Sequence, residues 1–218
     1  EWLQEYHRVQ RASAEEQLPA PVERFLADHP TTFLLATNVV GDSATLRAAT
    51  IFRSQRHWLS EVLPFFAERP QLGLIVRAHP DEEWLSATIV ERMGDLAAQF
   101  ARGAPNILIL KSSDRVSSYA LIRRVRAGLV WMSTIGVDMI IRGVPAIAAA
   151  RPKYGGLGIV WEPSSPKEYF DLVLQFARQP ARPSPQQSEM GKRYLSVIGK
   201  EFSFQAFGSA FRGRDLTL

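Results

Sequence analysis

Five short apolar runs recur along the chain, and a stretch with helical spacing follows each of them. The runs are continuously apolar, which is typical of strands buried on both faces of a sheet. Strands that alternate with helices form βαβ units, which build a parallel sheet covered by helices on both faces. The sequence therefore predicts an α/β fold with a doubly wound parallel sheet. The predicted strands are residues 32–38, 72–80, 106–113, 127–133 and 144–150.

The stretches between these runs predict helices, one of them long and amphipathic. Apolar residues that recur every three or four positions place one side of such a helix on the sheet. In the long helix these residues are Leu85, Ile89, Met93, Leu96 and Phe100. The predicted helices are residues 57–68, 83–101, 117–125, 134–142 and 165–178.

Two prolines bear on the ends of these helices. Pro64 lies inside the first of them and is expected to kink or break it, because proline removes a helical hydrogen bond. Pro166 lies in the first turn of the last helix, directly after Ser165. A serine N-cap followed by proline is a typical helix start.

The chain divides into one core domain and flanking segments. Residues 1–30 predict one or two helices that lead into the core, which spans residues 31–178. A Pro- and Gln-rich linker is expected at 179–188, followed by an amphipathic, aromatic-rich helical tail at 189–218. Because the tail is rich in phenylalanine, we expect it to dock on another surface.

Composition excludes several kinds of protein. The sequence contains no cysteine, which excludes disulfides, thiolate-bound metals and a cysteine nucleophile. No apolar stretch approaches the roughly 20 residues of a membrane span. The net charge is +4, but no nucleic-acid recognition motif accompanies it. We therefore expect no nucleic-acid partner; a modest positive charge suits small anionic ligands or an anionic membrane surface better.

Several familiar site motifs are missing from the sequence. There is no G-x-G-x-x-G after the first strand, no P-loop motif and no G-x-S-x-G elbow, which argues against a dinucleotide dehydrogenase, a P-loop NTPase and an α/β-hydrolase. The histidines show no ligand spacing, so we expect no metal site. A glycine-rich loop, 154–158, follows the fifth strand. Such a loop can close over a ligand, and its candidate contacts are Tyr154 and Gly156.

Polar and basic side chains collect where the predicted strands end and the helices begin. In an open parallel sheet, ligands bind beyond the carboxyl ends of the strands. A helix start offers unpaired N–H groups and a partial positive charge, which suit phosphate. Each hydroxyl taken alone is also an ordinary N-cap, but together they predict a pocket for a nucleotide monophosphate or diphosphate. The candidates are Arg77, His79, Ser117, Ser118, Ser133 and Thr134.

Four segments, taken in order, resemble a known family. They are ATNVVGDSA, WLSEVLPFFAERPQLGLIVRAHPDE, SSYALIRRVRAGLVWMSTIGVDMIIRGVPAIAAARPKYGGLGI and SPKEYF. From about residue 31 to 175 they resemble the C-terminal half of bacterial GT-B glycosyltransferases of the capsule polysaccharide biosynthesis type. The most specific part is Arg-x-His-Pro together with Ser-Thr-x-Gly-x-acid and Arg-Gly-x-Pro. The resemblance implies a Rossmann-like domain that holds the nucleotide of a sugar donor.

The resemblance also implies roles for individual residues. It implies that His79, with Arg77 nearby, contacts the donor phosphate, and that Ser133 and Thr134 bind the phosphate at the start of a helix.

It further implies that Gly136 lets the backbone approach the ligand and that Asp138 lies close to the donor. Aspartate is a departure, because the family usually has glutamate at this position. The sequence is also similar here to glycerophosphotransferases that use CDP-glycerol, and in those the acid is aspartate.

The function implied by the resemblance is transfer of a sugar from a nucleotide-sugar in surface polysaccharide synthesis. A CMP-linked donor is favoured and a UDP-linked donor stays open. We expect neither a cofactor nor a metal. The acceptor, a glycan or lipid-linked molecule, and the general base are expected from an N-terminal domain, so that this chain alone would be inactive. The expected location is the cytoplasm, with peripheral attachment to the inner membrane left open.

Two other functions stay open at this point. One is a glycerophosphotransferase of the CDP-glycerol type, and the other is a non-catalytic Rossmann module that binds other proteins.

Overall fold

Five parallel strands form the centre of the computed structural model, which describes residues 15–39, 51–83 and 91–209. Each strand lies inside its predicted run, so the predicted α/β fold is confirmed. The strands are β1 (Thr32–Ala36), β2 (Gly73–Arg77), β3 (Ile107–Leu110), β4 (Ala127–Val130) and β5 (Ala146–Ala148). Their order is β3-β2-β1-β4-β5. The chain thus builds outward from β1 to β3 and then returns to the other side of β1, which makes β1 and β4 the topological switch point.

Helices cover both faces of this Rossmann-like sheet. They are α1 (Ala20–Asp28), α2 (Gln55–Ala67), α3 (Met93–Ala101), α4 (Ser118–Ile122), α5 (Ile135–Ile141), α6 (Pro166–Arg178) and α7 (Pro185–Ser209). One apolar core packs α2, α3 and α6 on the sheet, and the other packs α1, α4, α5 and α7 on the opposite face. Successive strand residues alternate between them: Leu34 belongs to one core and Leu35 to the other. This alternation is the period of two that a strand imposes.

Pro64 does not break α2, contrary to the prediction. The helix continues through it to Ala67. Val62, Leu63 and Phe66 on either side of the proline are fully buried. Burying three such side chains stabilises by more than the roughly 3 kcal/mol that an interior proline costs.

The long helix predicted at 83–101 is also wrong in its extent. The helix α3 begins only at Met93, and Arg92 before it has an extended backbone. Glu82, at the end of a 3-10 turn formed by Pro80–Glu82, accepts a hydrogen bond from the Met93 N–H at 3.3 Å. This side chain therefore satisfies a backbone group at the start of α3. Leu85 and Ile89 lie outside the described residues.

The C-terminal helix α7 begins inside the segment predicted as a linker. It starts at Pro185, because the Ser184 Oγ accepts from the Gln187 N–H at 3.1 Å and caps it. A Cβ on Gly191 would lie 3.2 Å from atoms of both Val137 and Ile141, so glycine allows α7 to approach α5 closely. The phenylalanine side chains of the predicted tail lie outside the described residues.

The predicted start of α6 is confirmed. The Ser165 Oγ accepts a hydrogen bond from the Glu168 N–H at 3.2 Å, as an N-cap does.

Candidate functional site

The carboxyl ends of β1 and β4 are joined by a side chain and not by the backbone ladder. The ladder ends at the pair Ala36–Val130. Two residues later, the Asn38 Oδ1 accepts a hydrogen bond from the Met132 N–H at 3.1 Å. The loop after β1 leads to a helix on one face and the loop after β4 to a helix on the other. The strands must therefore separate here, and Asn38 spans the gap.

Gln55 fixes the backbone of Asn38 in turn. The Asn38 N–H donates to Gln55 Oε1 at 2.6 Å, and Gln55 Nε2 donates to the Asn38 carbonyl at 2.9 Å. Both residues are buried. Sequence reasoning missed both roles, although a polar residue directly after an apolar strand was a visible signal.

The segment after β4 brings Ser133 and Thr134 to the start of α5. Ser133 is half-buried and Thr134 is exposed. The Ser133 Oγ accepts from the Ile135 N–H at 3.4 Å, while the structure assigns Thr134 no capping hydrogen bond among the residues that it describes. These hydroxyls lie directly after the switch-point strand, where the sequence analysis placed a phosphate.

Tyr154 supports this segment from inside the protein. Its side chain is fully buried, and its hydroxyl donates to the Ser133 carbonyl at 2.6 Å. Burial raises the pKa of the Tyr154 hydroxyl, so it stays a donor at any physiological pH. The predicted contact of Tyr154 with the ligand stays a prediction; in this structure the side chain lies inside the core and bonds to the Ser133 carbonyl.

Gly136 faces this tyrosine and not open space. A Cβ at this position would lie 2.7 Å from the Tyr154 Oη. The glycine is explained by the packing of Tyr154, and an approach of the backbone to a ligand is not needed to explain it.

Arg77 ends β2 and lies beneath the surface. It is 5% exposed, and its Nη1 donates to the Lys111 carbonyl at the end of β3. Its Nε is buried and has no hydrogen-bond partner within the described ranges. Burial lowers the pKa of the Arg77 guanidinium, while Asp114 and Glu82 act in the opposite direction. Arg77 thus joins β2 to the loop after β3, and its predicted contact with phosphate stays a prediction.

His79 is the exposed member of the Arg-x-His-Pro element. Its side chain is 34% exposed, and its Nδ1 accepts from the Asp81 N–H at 3.2 Å. The His79 N–H donates to Thr37 Oγ1 at 3.2 Å, which ties this element to the end of β1. In the neutral ring, a hydrogen bond accepted at Nδ1 places the proton on Nε2.

Asp138 in α5, which was expected to lie close to the donor, is buried. It is 1% exposed, and Arg142 Nη1 lies 3.3 Å from its Oδ1. The Arg142 guanidinium lies 5.2 Å from the ring centroid of Tyr119 in the first turn of α4. This contact places the start of α4 beside α5.

Ser117 caps that start of α4. Its Oγ accepts from the Ala120 N–H at 3.3 Å, which is the ordinary role of an N-cap serine. Ser118 is the first helical residue and is half-buried. The structure thus places both serines on the face of the sheet that carries α5.

The glycine-rich loop beyond β5 is held by a carboxylate. Gly156 has a positive φ of 79°, and its N–H donates to both Glu162 carboxylate oxygens, at 2.9 and 3.1 Å. This N–H is therefore committed to Glu162 and not directed at a ligand. A cavity of about 200 Å³ lies at the end of β5, lined by Ile51, residues 148–151, Glu162 and Pro163.

Two searches of the described residues gave no candidates. In 15–39, 51–83 and 91–209, no helix is long and apolar enough to span a membrane. Over the same ranges, no group of three or more His, Asp or Glu side chains is arranged to hold a metal ion.

Several solved structures have a similar fold. A UDP-N-acetylglucosamine 2-epimerase from Listeria monocytogenes has 13% identity and a TM-score of 0.53, with 96% of this chain and 54% of that chain covered. The S. aureus MnaA-UDP co-structure has 9% identity and a TM-score of 0.52, with 89% of this chain and 52% of that chain covered. A trehalose 6-phosphate synthase from Burkholderia multivorans has 11% identity and a TM-score of 0.50, with 96% of this chain and 50% of that chain covered. At these identities the likeness establishes the fold alone, and the chain spans about half the length of these structures.

The sequence itself identifies the family. Comparison with curated protein sequences gave no match. The family model described as capsule polysaccharide biosynthesis protein matches residues 3–176, which include all five strands and the segments that bear His79 and Ser133. The chain therefore belongs to the capsule polysaccharide biosynthesis protein family.

Proposed function

We propose that the chain is the donor-binding domain of a glycosyltransferase that builds surface polysaccharide. One observation carries this proposal: two consecutive residues at the end of β1 tie two candidate phosphate-binding elements to the switch point. Thr37 accepts from the His79 N–H, and Asn38 accepts from the Met132 N–H, next to Ser133. In a member of the capsule polysaccharide biosynthesis family, this edge of the sheet is where a nucleotide ligand is expected.

The proposed ligand is a nucleotide-sugar, with a CMP-linked donor favoured and a UDP-linked donor as the alternative. The similar fold of the S. aureus protein was solved with UDP, which supports a nucleotide ligand without deciding the base. No cofactor or metal is part of this proposal.

The proposed chemistry places developing negative charge where the protein offers donors. When the sugar leaves, charge grows on the nucleotide phosphate, and preorganised donors lower the barrier there. Ser133, Thr134 and the N–H groups at the start of α5 would donate to that phosphate, together with His79. The general base and the acceptor site would come from a second domain, as in two-domain transferases of this type, so this chain would bind the donor without turning it over.

Calorimetric titration with CMP, CDP and UDP tests this proposal. We expect at least one nucleotide to bind and His79→Ala to weaken that binding. His29→Ala is the matched control. His29 lies before β1, at the amino-terminal ends of the strands, and its Nδ1 also forms a hydrogen bond with the backbone, at the Phe25 carbonyl. Binding of none of the three nucleotides would refute the donor-domain proposal and favour a non-catalytic module. Binding that His79→Ala leaves unchanged would refute the assignment of the site.

A second candidate is transfer of glycerol phosphate from CDP-glycerol. The aspartate at position 138 favours it, because aspartate follows the serines in the glycerophosphotransferases that the sequence resembles. Incubation of the full-length protein with CDP-glycerol and with CMP-linked sugars distinguishes the two, since only the true donor releases its nucleotide.

A further inference from the structure

Two buried side chains fix the peptide groups that flank Met132 and Ser133, namely Trp131–Met132 and Ser133–Thr134. The Asn38 Oδ1 accepts from the Met132 N–H at 3.1 Å, and the Tyr154 hydroxyl donates to the Ser133 carbonyl at 2.6 Å. We propose that Asn38 and Tyr154 are positioning residues that hold residues 132–134 ready for the donor phosphate. This inference rests on the proposed function and adds to it the residues that shape the phosphate site.

Asn38 acts from the β1 side of the switch point. Beyond the pair Ala36–Val130 the backbone ladder is over, so the Met132 N–H depends on a side chain for its partner. The backbone of Asn38 is in turn held by two hydrogen bonds to the side chain of Gln55. An acceptor fixed in this way sets the position of the peptide group between Trp131 and Met132, one residue before Ser133.

Tyr154 acts from the opposite side, within the core formed by α5 and α7. Its ring packs edge-on against Tyr194 of α7 at 5.6 Å between centroids, and its hydroxyl approaches Gly136 of α5 closely. The Ser133 carbonyl is thus held by a side chain whose own position is determined by packing. Thr134 is exposed and Ser133 half-buried, so both residues are accessible to solvent just beyond the carboxyl end of β4.

These two contacts differ from ordinary buried hydrogen bonds in where they lie, and the chain offers a matched control for each. Asn106 is a buried asparagine that donates to three backbone carbonyls after α2, at the opposite edge of the sheet. Tyr169 is a fully buried tyrosine whose hydroxyl accepts from Trp58 Nε1 at 3.0 Å in the other core. Neither control contact includes a backbone group of residues 132–134, so its loss is expected to lower stability without releasing that segment.

The experiment compares Asn38→Ala and Tyr154→Phe with Asn106→Ala and Tyr169→Phe in the full chain. For each variant, the affinities for CMP, CDP and UDP and for the phosphate-free cytidine and uridine are measured, together with the unfolding midpoint. We expect the two positioning variants to weaken nucleoside diphosphate binding about threefold to tenfold, the range that one hydrogen bond supplies. Nucleoside binding should not change, and the two controls should lower the midpoint while leaving every affinity unchanged.

Three outcomes overturn the inference, and they are distinguishable. If wild type binds none of CMP, CDP and UDP, the proposed function falls together with the inference. If wild type binds but both positioning variants bind equally well, the inference alone is wrong. If affinity falls with the midpoint in all four variants, the contacts stabilise the fold and do not position the site. Tyr154→Phe removes a single oxygen, so it decides between these outcomes even where Asn38→Ala does not fold.

Discussion

Replacing Gly136 by alanine tests whether the packing of Tyr154 is the reason for this glycine. Gly136 lies in the first turn of α5, and an added Cβ would lie 2.7 Å from Tyr154 Oη, 3.2 Å from Val130 Cγ2 and 3.6 Å from Val160 Cγ1. Only the contact with the hydroxyl is shorter than a Cβ can tolerate. The Tyr154 hydroxyl must therefore move, and its 2.6 Å hydrogen bond to the Ser133 carbonyl lengthens or breaks.

The size of the effect follows from three terms. Alanine is more favourable than glycine inside a helix by up to about 1 kcal/mol. Overpacking of a filled core costs about 1–3 kcal/mol, and loss of the hydrogen bond adds about 1 kcal/mol. We expect Gly136→Ala to lower the free energy of unfolding by about 1–3 kcal/mol, since the unfavourable terms are larger.

The same substitution should behave differently when the Tyr154 hydroxyl is absent. In Tyr154→Phe no ring atom of residue 154 comes closer to the new Cβ than 3.6 Å, because the three nearest contacts in the wild type are the hydroxyl and two valines. Gly136→Ala should then be close to neutral or stabilising by up to about 1 kcal/mol, as its helix propensity predicts. The sign of the effect therefore changes between the two backgrounds.

Urea unfolding of wild type, both single variants and the double variant measures this coupling. The unfolding midpoints should shift with an unchanged slope, so that they report stability alone. The double-mutant cycle gives the coupling free energy directly. Equal destabilisation by Gly136→Ala in both backgrounds would refute the packing explanation, because the clash would then not depend on the Tyr154 hydroxyl.

Two further predictions concern buried polar groups away from residues 132–134. Asn106→Asp should lower the urea midpoint more than Asn106→Ala does. In the wild type the Asn106 Nδ2 donates to three backbone carbonyls, and the aspartate would place a carboxylate oxygen against them instead. Equal midpoints would contradict this. Burial raises the pKa of Glu82, so its ionisation removes stability as the pH rises through the folded pKa. Glu82→Gln should therefore gain stability relative to wild type between pH 4 and pH 7, measured by urea unfolding at both pH values, and a constant difference would show that this burial has no such effect.

The strands were predictable because a parallel sheet buried on both faces requires continuously apolar segments, as in residues 106–113 and 127–133. The extent of α3 was not predictable from periodicity. The N–H of its first residue, Met93, donates to the carboxylate of Glu82, which lies eleven positions earlier in the chain. Periodicity reports only neighbours on one helix. It cannot show a hydrogen bond formed across a gap in the chain.

The candidate site likewise has features that the sequence predicted and features that it did not. The position of the candidate residues at strand ends was predictable, since it follows from the parallel sheet. The burial of Tyr154 was not, because its partner, the Ser133 carbonyl, is 21 residues away and a glycine-rich sequence by itself favours an exposed loop. Asn38 was visible at the end of β1, but its role depends on the separation of β1 from β4, which only the strand order reveals.

The candidate residues fall into a buried group and an exposed group with different expected roles. The buried group comprises Arg77, Asp138 and Tyr154, which are at least 95% buried. Each of them contacts a backbone carbonyl or a neighbouring charged side chain. His79 and Thr134 reach solvent. A contact with the donor requires an exposed atom, so the direct contacts with the phosphate are expected from the exposed group, whereas the buried group acts through geometry. CDP and UDP carry the same diphosphate, so variants of either group should alter the two affinities by the same factor. Unequal factors for a variant of His79 or Thr134 would instead place that residue at the base.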